Sequence, residues 1–173
     1  MRKFFAVLML AGLSAVSVTN AIAGDSIKVK KTITINAPAN EVWAKIGNFG
    51  DMSWHPAIAK TDITGGTNNK VGASRQLTLK GGGTINEVLT AHEDASKMMT
   101  YEITESVLPL REYSAKLVVK SAGDGKSLVI WTSKFKRKDP ASTPQVGQDD
   151  KTAKDTITGI FTSGLDNLKK LSE

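Results

Sequence analysis

The chain contains no cysteine in 173 residues. That excludes disulfides, thiolate metal sites, a lipid-modified N-terminal cysteine and a C-x-x-C-H haem attachment at once. Aromatic residues make up only 6 % of the chain, with 3 Trp and 2 Tyr, so each one on an inward face can be weighed individually. A dominant charge is also missing: 23 basic against 17 acidic side chains leaves +6. So diffuse an excess argues against nucleic acid as a partner and admits an acidic protein or an anionic surface. Its densest cluster is Lys134, Lys136, Arg137 and Lys138, which also suits a solvated strand end kept soluble by lysines.

Long hydrophobic runs are missing as well. The one apolar stretch, Phe4 to about Val18, follows Arg2 and Lys3 and leads to Ala21-Ile22-Ala23. It is shorter than the roughly 20 residues of a spanning helix and has the parts of a secretory signal. The reading is a signal peptide over residues 1–23, cleaved after Ala23, and one domain over 24–173. A periplasmic location follows from that reading, with no membrane-spanning segment. Roughly 150 residues suffice for a core that holds without disulfides.

Within that domain Ile27, Val29, Ile33 and Ile35 alternate with polar residues, the pattern of a strand. Pro38 then suits the first turn of a short helix in which Val42, Trp43, Ile46 and Phe49 recur at helical spacing. Strands are expected at Ala57–Thr64, Val71–Lys80, Thr84–His92 and Met98–Glu105, then a long hairpin, Arg111–Ser121 and Lys126–Lys138, around Gly123-Asp124-Gly125. Ile157, Ile160, Phe161, Leu165, Leu168 and Leu171 form the apolar stripe of a C-terminal helix. The order is α+β: a curved antiparallel sheet of about six to seven strands around a long C-terminal helix, with one or two short helices after the first strand. A curled sheet cannot pack every inward side chain onto one helix, so a hollow is expected between them.

The segment from Asn36 to Ile46, the stretch FGDMSWHP from Phe49 to Pro56 and the final helix resemble the START-like or polyketide cyclase/dehydrase (SRPBCC) superfamily. The resemblance spans roughly Ile27 to Leu171 and implies the helix-grip fold with an internal pocket. Within it, KVKKTITINAPANEVWAKIGNFGDMSWHPAIAKT, LKGGGTINEVLT and the GDGKS turn resemble the MxaD-type periplasmic accessory family of bacterial methanol oxidation. That implies a non-enzymatic role beside a quinoprotein methanol dehydrogenase and its c-type cytochrome, with no cofactor of its own. The scaffold hosts many functions. A carrier of a small hydrophobic or amphipathic ligand is the alternative, and a cyclase or dehydratase ranks third.

Arg75 falls on the apolar side of its strand between Ala73 and Leu77, and Glu87 between Ile85 and Leu89. A hairpin folded about Gly82 makes them diagonal inward neighbours, and buried charges require pairing. They are pocket candidates with Tyr101, Tyr113, Trp131 and Phe161. An ion pair in a wet cavity competes with an arginine that meets an acidic ligand, and core filling competes for the aromatics. Trp54 and His55 are candidates for a pocket rim or partner contact, as are Lys136 and Arg137. Asp51, four residues before His55, suggests a His–Asp pair, but without a nucleophile motif and with too few ligands for a metal. No catalytic residue and no metal ligand is assigned. His92, at a strand end before Glu93-Asp94, reads as surface.

Overall fold

A computed structural model describes residues 26–173. The expected signal peptide, residues 1–23, lies outside them. Seven strands form one antiparallel sheet: β1 Ile27–Ile35, β2 Ile58–Gly65, β3 Ser74–Leu79, β4 Thr84–Glu93, β5 Met98–Ser106, β6 Leu110–Ser121 and β7 Ser127–Arg137. Their order across the sheet is β1-β7-β6-β5-β4-β3-β2. The first strand therefore pairs with the last, and each remaining pair is a hairpin neighbour. Helix α1, Ala39–Ile46, follows β1, and helix α2, Asp150–Ser172, closes the chain. This is the helix-grip fold: a curved sheet holding a long helix.

Period-two alternation decides which face is inward. Tyr113, Ala115, Leu117 and Val119 of β6 and Val129, Trp131, Ser133 and Phe135 of β7 are all buried. Against them α2 presents Ala153, Ile157, Phe161, Leu165 and Leu168, at helical spacing. Asp149 caps α2: its carboxylate accepts from the Thr152 N–H at 2.8 Å and the Thr152 hydroxyl at 2.9 Å. Such a cap satisfies an N–H that the first turn leaves without a helical partner, and those hydrogen bonds hold the Asp149 carboxyl below its usual range. At the other end Lys169 donates to the Thr34 carbonyl at 3.0 Å, and Glu173 accepts from the Asn36 N–H at 2.8 Å. With Arg137 of β7 meeting Asp150 at 3.0 Å in the first turn, both ends of α2 are fastened to the sheet.

Three expectations need correction. The third strand starts at Ser74 rather than Val71, because Gly72 takes a positive φ of 88° and turns Val71 out to 69 % exposure. The β3–β4 hairpin pairs Arg75 directly with Glu87 and Leu77 with Ile85, two residues from the register of a fold about Gly82. The turn closes instead with Leu79 N–H donating to the Gly83 carbonyl. Leu171 is 52 % exposed, since the buried stripe of α2 ends at Leu168.

Two glycines of α2 are in opposite situations. A Cβ on Gly164 would stand 2.5 Å from His55 Cδ2 and 3.0 Å from Trp131, whereas one on Gly159 would meet nothing within 4 Å. Gly164→Ala is therefore expected to destabilise the fold by about 1–3 kcal/mol through overpacking. Gly159→Ala is expected to stabilise it by up to about 1 kcal/mol through helix propensity. Urea denaturation of the two variants reads both signs, and equal effects would contradict this packing.

Candidate functional site

The site begins with two charges in the interior. Arg75 and Glu87 are 2 % and 5 % exposed. They face inward because they replace apolar residues in an alternating pattern, and the observed register places them directly opposite. Arg75 Nε donates to Glu87 Oε2 at 2.7 Å, Nη2 lies 2.6 Å from the same oxygen, and Nη1 donates to the Phe49 carbonyl at 2.6 Å. The guanidinium also lies over the Phe49 ring at 4.1 Å and near the Tyr101 ring at 5.3 Å, where cation–π attraction adds to the ion pair. Burial pushes the Glu87 carboxyl above its usual range, and Arg75 opposes that shift. The Arg75 head is thus engaged on every side by the protein itself.

Beside the pair lies a hollow of about 40 Å³ between sheet and α2. Leu77, Ile85, Ile157 and Ile160 supply its apolar wall, and Glu87, Tyr101, Tyr113 and His55 its polar tips. Drug-sized ligands occupy roughly 300–1,000 Å³, so this space takes only a few waters. The Tyr101 hydroxyl accepts from the Trp131 indole N–H at 2.9 Å. Burial raises the titration of both Tyr101 and Tyr113, the latter well above the ordinary tyrosine value. Both remain neutral phenols with no tendency toward phenolate. Trp131 lines the hollow, while Phe161 stacks on its far side at 4.1 Å and 12°. Phe161 and Arg75 therefore back the hollow instead of lining it, which corrects their reading as pocket residues.

The expected rim is buried too. Trp54 is 3 % and His55 1 % exposed. Trp54 packs 5.5 Å from Trp131, and Asn167 of α2 donates to its carbonyl at 2.7 Å. His55 Nε2 pairs with the Ile160 carbonyl at 3.0 Å, and Nδ1 accepts from the Ala57 N–H at 3.2 Å. A carbonyl partner requires a proton on Nε2, and an N–H partner requires none on Nδ1. The ring is thus a neutral tautomer with both nitrogens occupied, and burial lowers its pKa below the ordinary value near 6.5. Asp51 does not pair with it, because its carboxylate accepts from the Ser53 N–H instead. His92 is likewise not a surface residue: its side chain is almost fully buried and donates from Nε2 to the Gly47 carbonyl at 2.7 Å.

The basic strand end is already paired. Lys136 meets Glu112 at 2.6 Å. Arg137 meets Asp150 at 3.0 Å and donates to the carbonyls of Asp139 and Ala141, both at 2.8 Å. Arg137 fastens the loop before α2, which limits it as a contact residue. Sequence reasoning missed the Phe49 carbonyl as an acceptor for Arg75, and no residue pattern announces a backbone oxygen in that role. It also missed Ile58, Ile103 and Leu108 in the wall. Ile103 was available from the alternation of β5.

Fold and hollow together define a helix-grip binding domain. The chain belongs to the family described as polyketide cyclase/dehydrase and lipid transport, which matches residues 26–173. Among solved structures it is similar to the protein XoxI of Bacillus cereus, with 26 % identity, TM-score 0.72, and 84 % of this chain and 94 % of that one covered. An uncharacterised protein of Bacillus thuringiensis is similar at 26 % identity and TM-score 0.72, covering 84 % and 98 %. A protein of Nitrosospira multiformis, at 24 % identity and TM-score 0.70, covers 85 % and 97 % and shows the fold alone. No curated protein matches the chain. Among the described residues no helix is long and apolar enough to cross a membrane.

Breaking the buried pair from one side leaves an uncompensated charge. Arg75→Met and Glu87→Leu are each expected to lose about 3–5 kcal/mol, and the double variant to regain much of that loss. A denaturation cycle in which the single losses simply add would contradict the pairing.

His55 gives a pH signature. Its folded pKa is lowered, so its neutral form is favoured in the fold and the unfolded chain binds the proton more readily. Its contribution is complete above pH about 6.5 and declines as pH falls toward the lowered folded value. The thermal midpoint of the native chain is expected to drop over that window more steeply than that of His55→Gln, and parallel slopes would contradict the assignment.

Proposed function

We propose that the chain is an exported accessory protein, held in the periplasm after removal of residues 1–23, that works without catalysis of its own. Its proposed partners are a quinoprotein methanol dehydrogenase and the c-type cytochrome that accepts its electrons. The observation that carries the reading is the state of the interior. Arg75, Glu87, Tyr101, Trp131 and His55 are engaged with one another or with the backbone, around a space of only about 40 Å³. Function then falls to the surface. The extended sequence resemblance to the MxaD-type accessory family supports this direction, as does the similarity in fold to the solved structures above.

A cysteine-free chain holds no covalently attached haem. It acts on electron transfer by changing how two redox proteins meet, through encounter rate or mutual orientation. A second reading, carriage of a small apolar ligand, is favoured by the apolar wall of the hollow and by the lipid-transport half of the family description. It requires α2 or the Asn48–Ala57 segment to move, because the present space is about a tenth of a typical pocket.

Stopped-flow reduction of the cytochrome by the dehydrogenase, with and without this protein, tests the first reading. The second-order rate is expected to rise at low salt and the gain to shrink as salt screens the surfaces. An unchanged rate from low to high ionic strength removes the accessory role.

A further inference from the structure

We propose that the outer face of the sheet, on the side away from α2, is a docking surface for an acidic protein segment. A shallow groove of about 530 Å³ lies there, with Lys28 and Lys30 of β1, Lys116 of β6 and Lys134 of β7 on its walls. Hydroxyls of Thr132 and Ser114 lie between them. The register explains the cluster: Lys28 is directly opposite Lys134, Lys30 opposite Thr132, Thr132 opposite Lys116, and Lys134 opposite Ser114. Alternation sends all four lysines to the face opposite the core, and all four are exposed.

Register separates this cluster from an ordinary solvated face. The four lysines share with most exposed lysines, Lys154 and Lys170 among them, the lack of an ion-pair partner among the described residues, whereas neighbouring Lys136 and Arg137 are paired with Glu112 and Asp150. Like charges directly across a strand pair oppose folding, so the Lys28–Lys134 pairing does not serve stability. Glu102, opposite Ser114 at the β5 side, makes the groove positive on one flank and negative on the other, which orients an incoming charge pattern.

The chemistry selects the partner class. Arginine, the residue suited to bidentate phosphate recognition, is absent from the groove, and its aromatic lining residue, Tyr101, has its side chain buried in the core. That disfavours nucleic acid. No apolar side chain projects from the groove for insertion into a lipid surface, because Val29 and Ala115 are buried. Separated, strongly hydrated lysine charges suit fast, salt-sensitive capture of carboxylates on another protein.

The inference rests on the reading that the chain works by protein contact, though not on which protein it contacts. A fluorescent deca-glutamate peptide serves as the probe, with purified dehydrogenase and cytochrome as second probes. Lys28→Glu/Lys134→Glu is expected to weaken peptide binding by at least roughly tenfold at low salt. Lys28→Arg/Lys134→Arg is expected to keep it. Lys154→Glu/Lys170→Glu, with the same charge change on the exposed side of α2, is expected to change it little. Thermal midpoints check folding, and Lys28→Glu alone is expected not to lower the midpoint because it replaces a like-charge pair with an opposite one. Equal loss from both double charge reversals overturns the proposal, as does stronger binding to vesicles containing anionic lipid than to the peptide. Peptide binding through this face with neither redox protein bound supports the surface and removes those partners. Redox proteins that bind the charge-reversed variant unchanged keep the partners and overturn the surface.

Discussion

The interior of this domain is organised around one guanidinium. Arg75 sits where alternation calls for an apolar residue, and an isolated charge there would cost several kcal/mol, a large share of a domain's stability. It is tolerated because three structural elements converge on it. Glu87 of β4 supplies the carboxylate, Phe49 after α1 a carbonyl and a ring face, and Tyr101 of β5 a second ring. The same contacts fix the segment between α1 and β2 against the sheet, and that segment carries Trp54 and His55 under α2. Such a pair is weak evidence for stability gained, though each partner is costly without the other.

Several consequences follow for the hollow. The groups that would give it chemistry are the groups that hold it together. His55 has both nitrogens occupied, Glu87 Oε2 receives two guanidinium nitrogens, and the Tyr101 hydroxyl receives the Trp131 N–H. Gly164 lets the His55 ring approach α2 closely, and Phe161 stacks on Trp131 to close the far wall. A fold that can enclose a ligand is here packed down to a few waters' volume. A cluster of four exposed lysines lies on the opposite side of the same strands, where alternation places it.

Much of the architecture was legible in the residues. Alternation in β1, β4, β6 and β7 and the three-to-four spacing of α2 are direct imprints of which face is buried. Arg75 and Glu87 announced themselves by breaking that alternation. Their register did not, because three consecutive glycines tolerate several turn closures. Gly82 and Gly83 both adopt positive φ, near 94° and 84°, and place the closure at Leu79–Gly83. Trp54 and His55 were misplaced for a related reason. Their segment is too short and irregular to carry a period, so nothing in it says which way a side chain points. The i, i+4 spacing of Asp51 and His55 suggested a helical turn that the Asp51–Ser53 hydrogen bond replaces. Phe49's carbonyl and the paired state of Lys136 and Arg137 depend on tertiary approach alone.

The claim at the centre of this account is that Arg75, Glu87, His55 and Tyr101 are held by one another or by neighbouring protein groups around a space too small for a ligand, which leaves the surface to act. Native mass spectrometry of the protein isolated from its own cells, without exposure to detergent, tests it most directly. The account predicts a mass equal to that of the bare polypeptide. A stoichiometric small molecule retained in the folded protein and released on denaturation would contradict it.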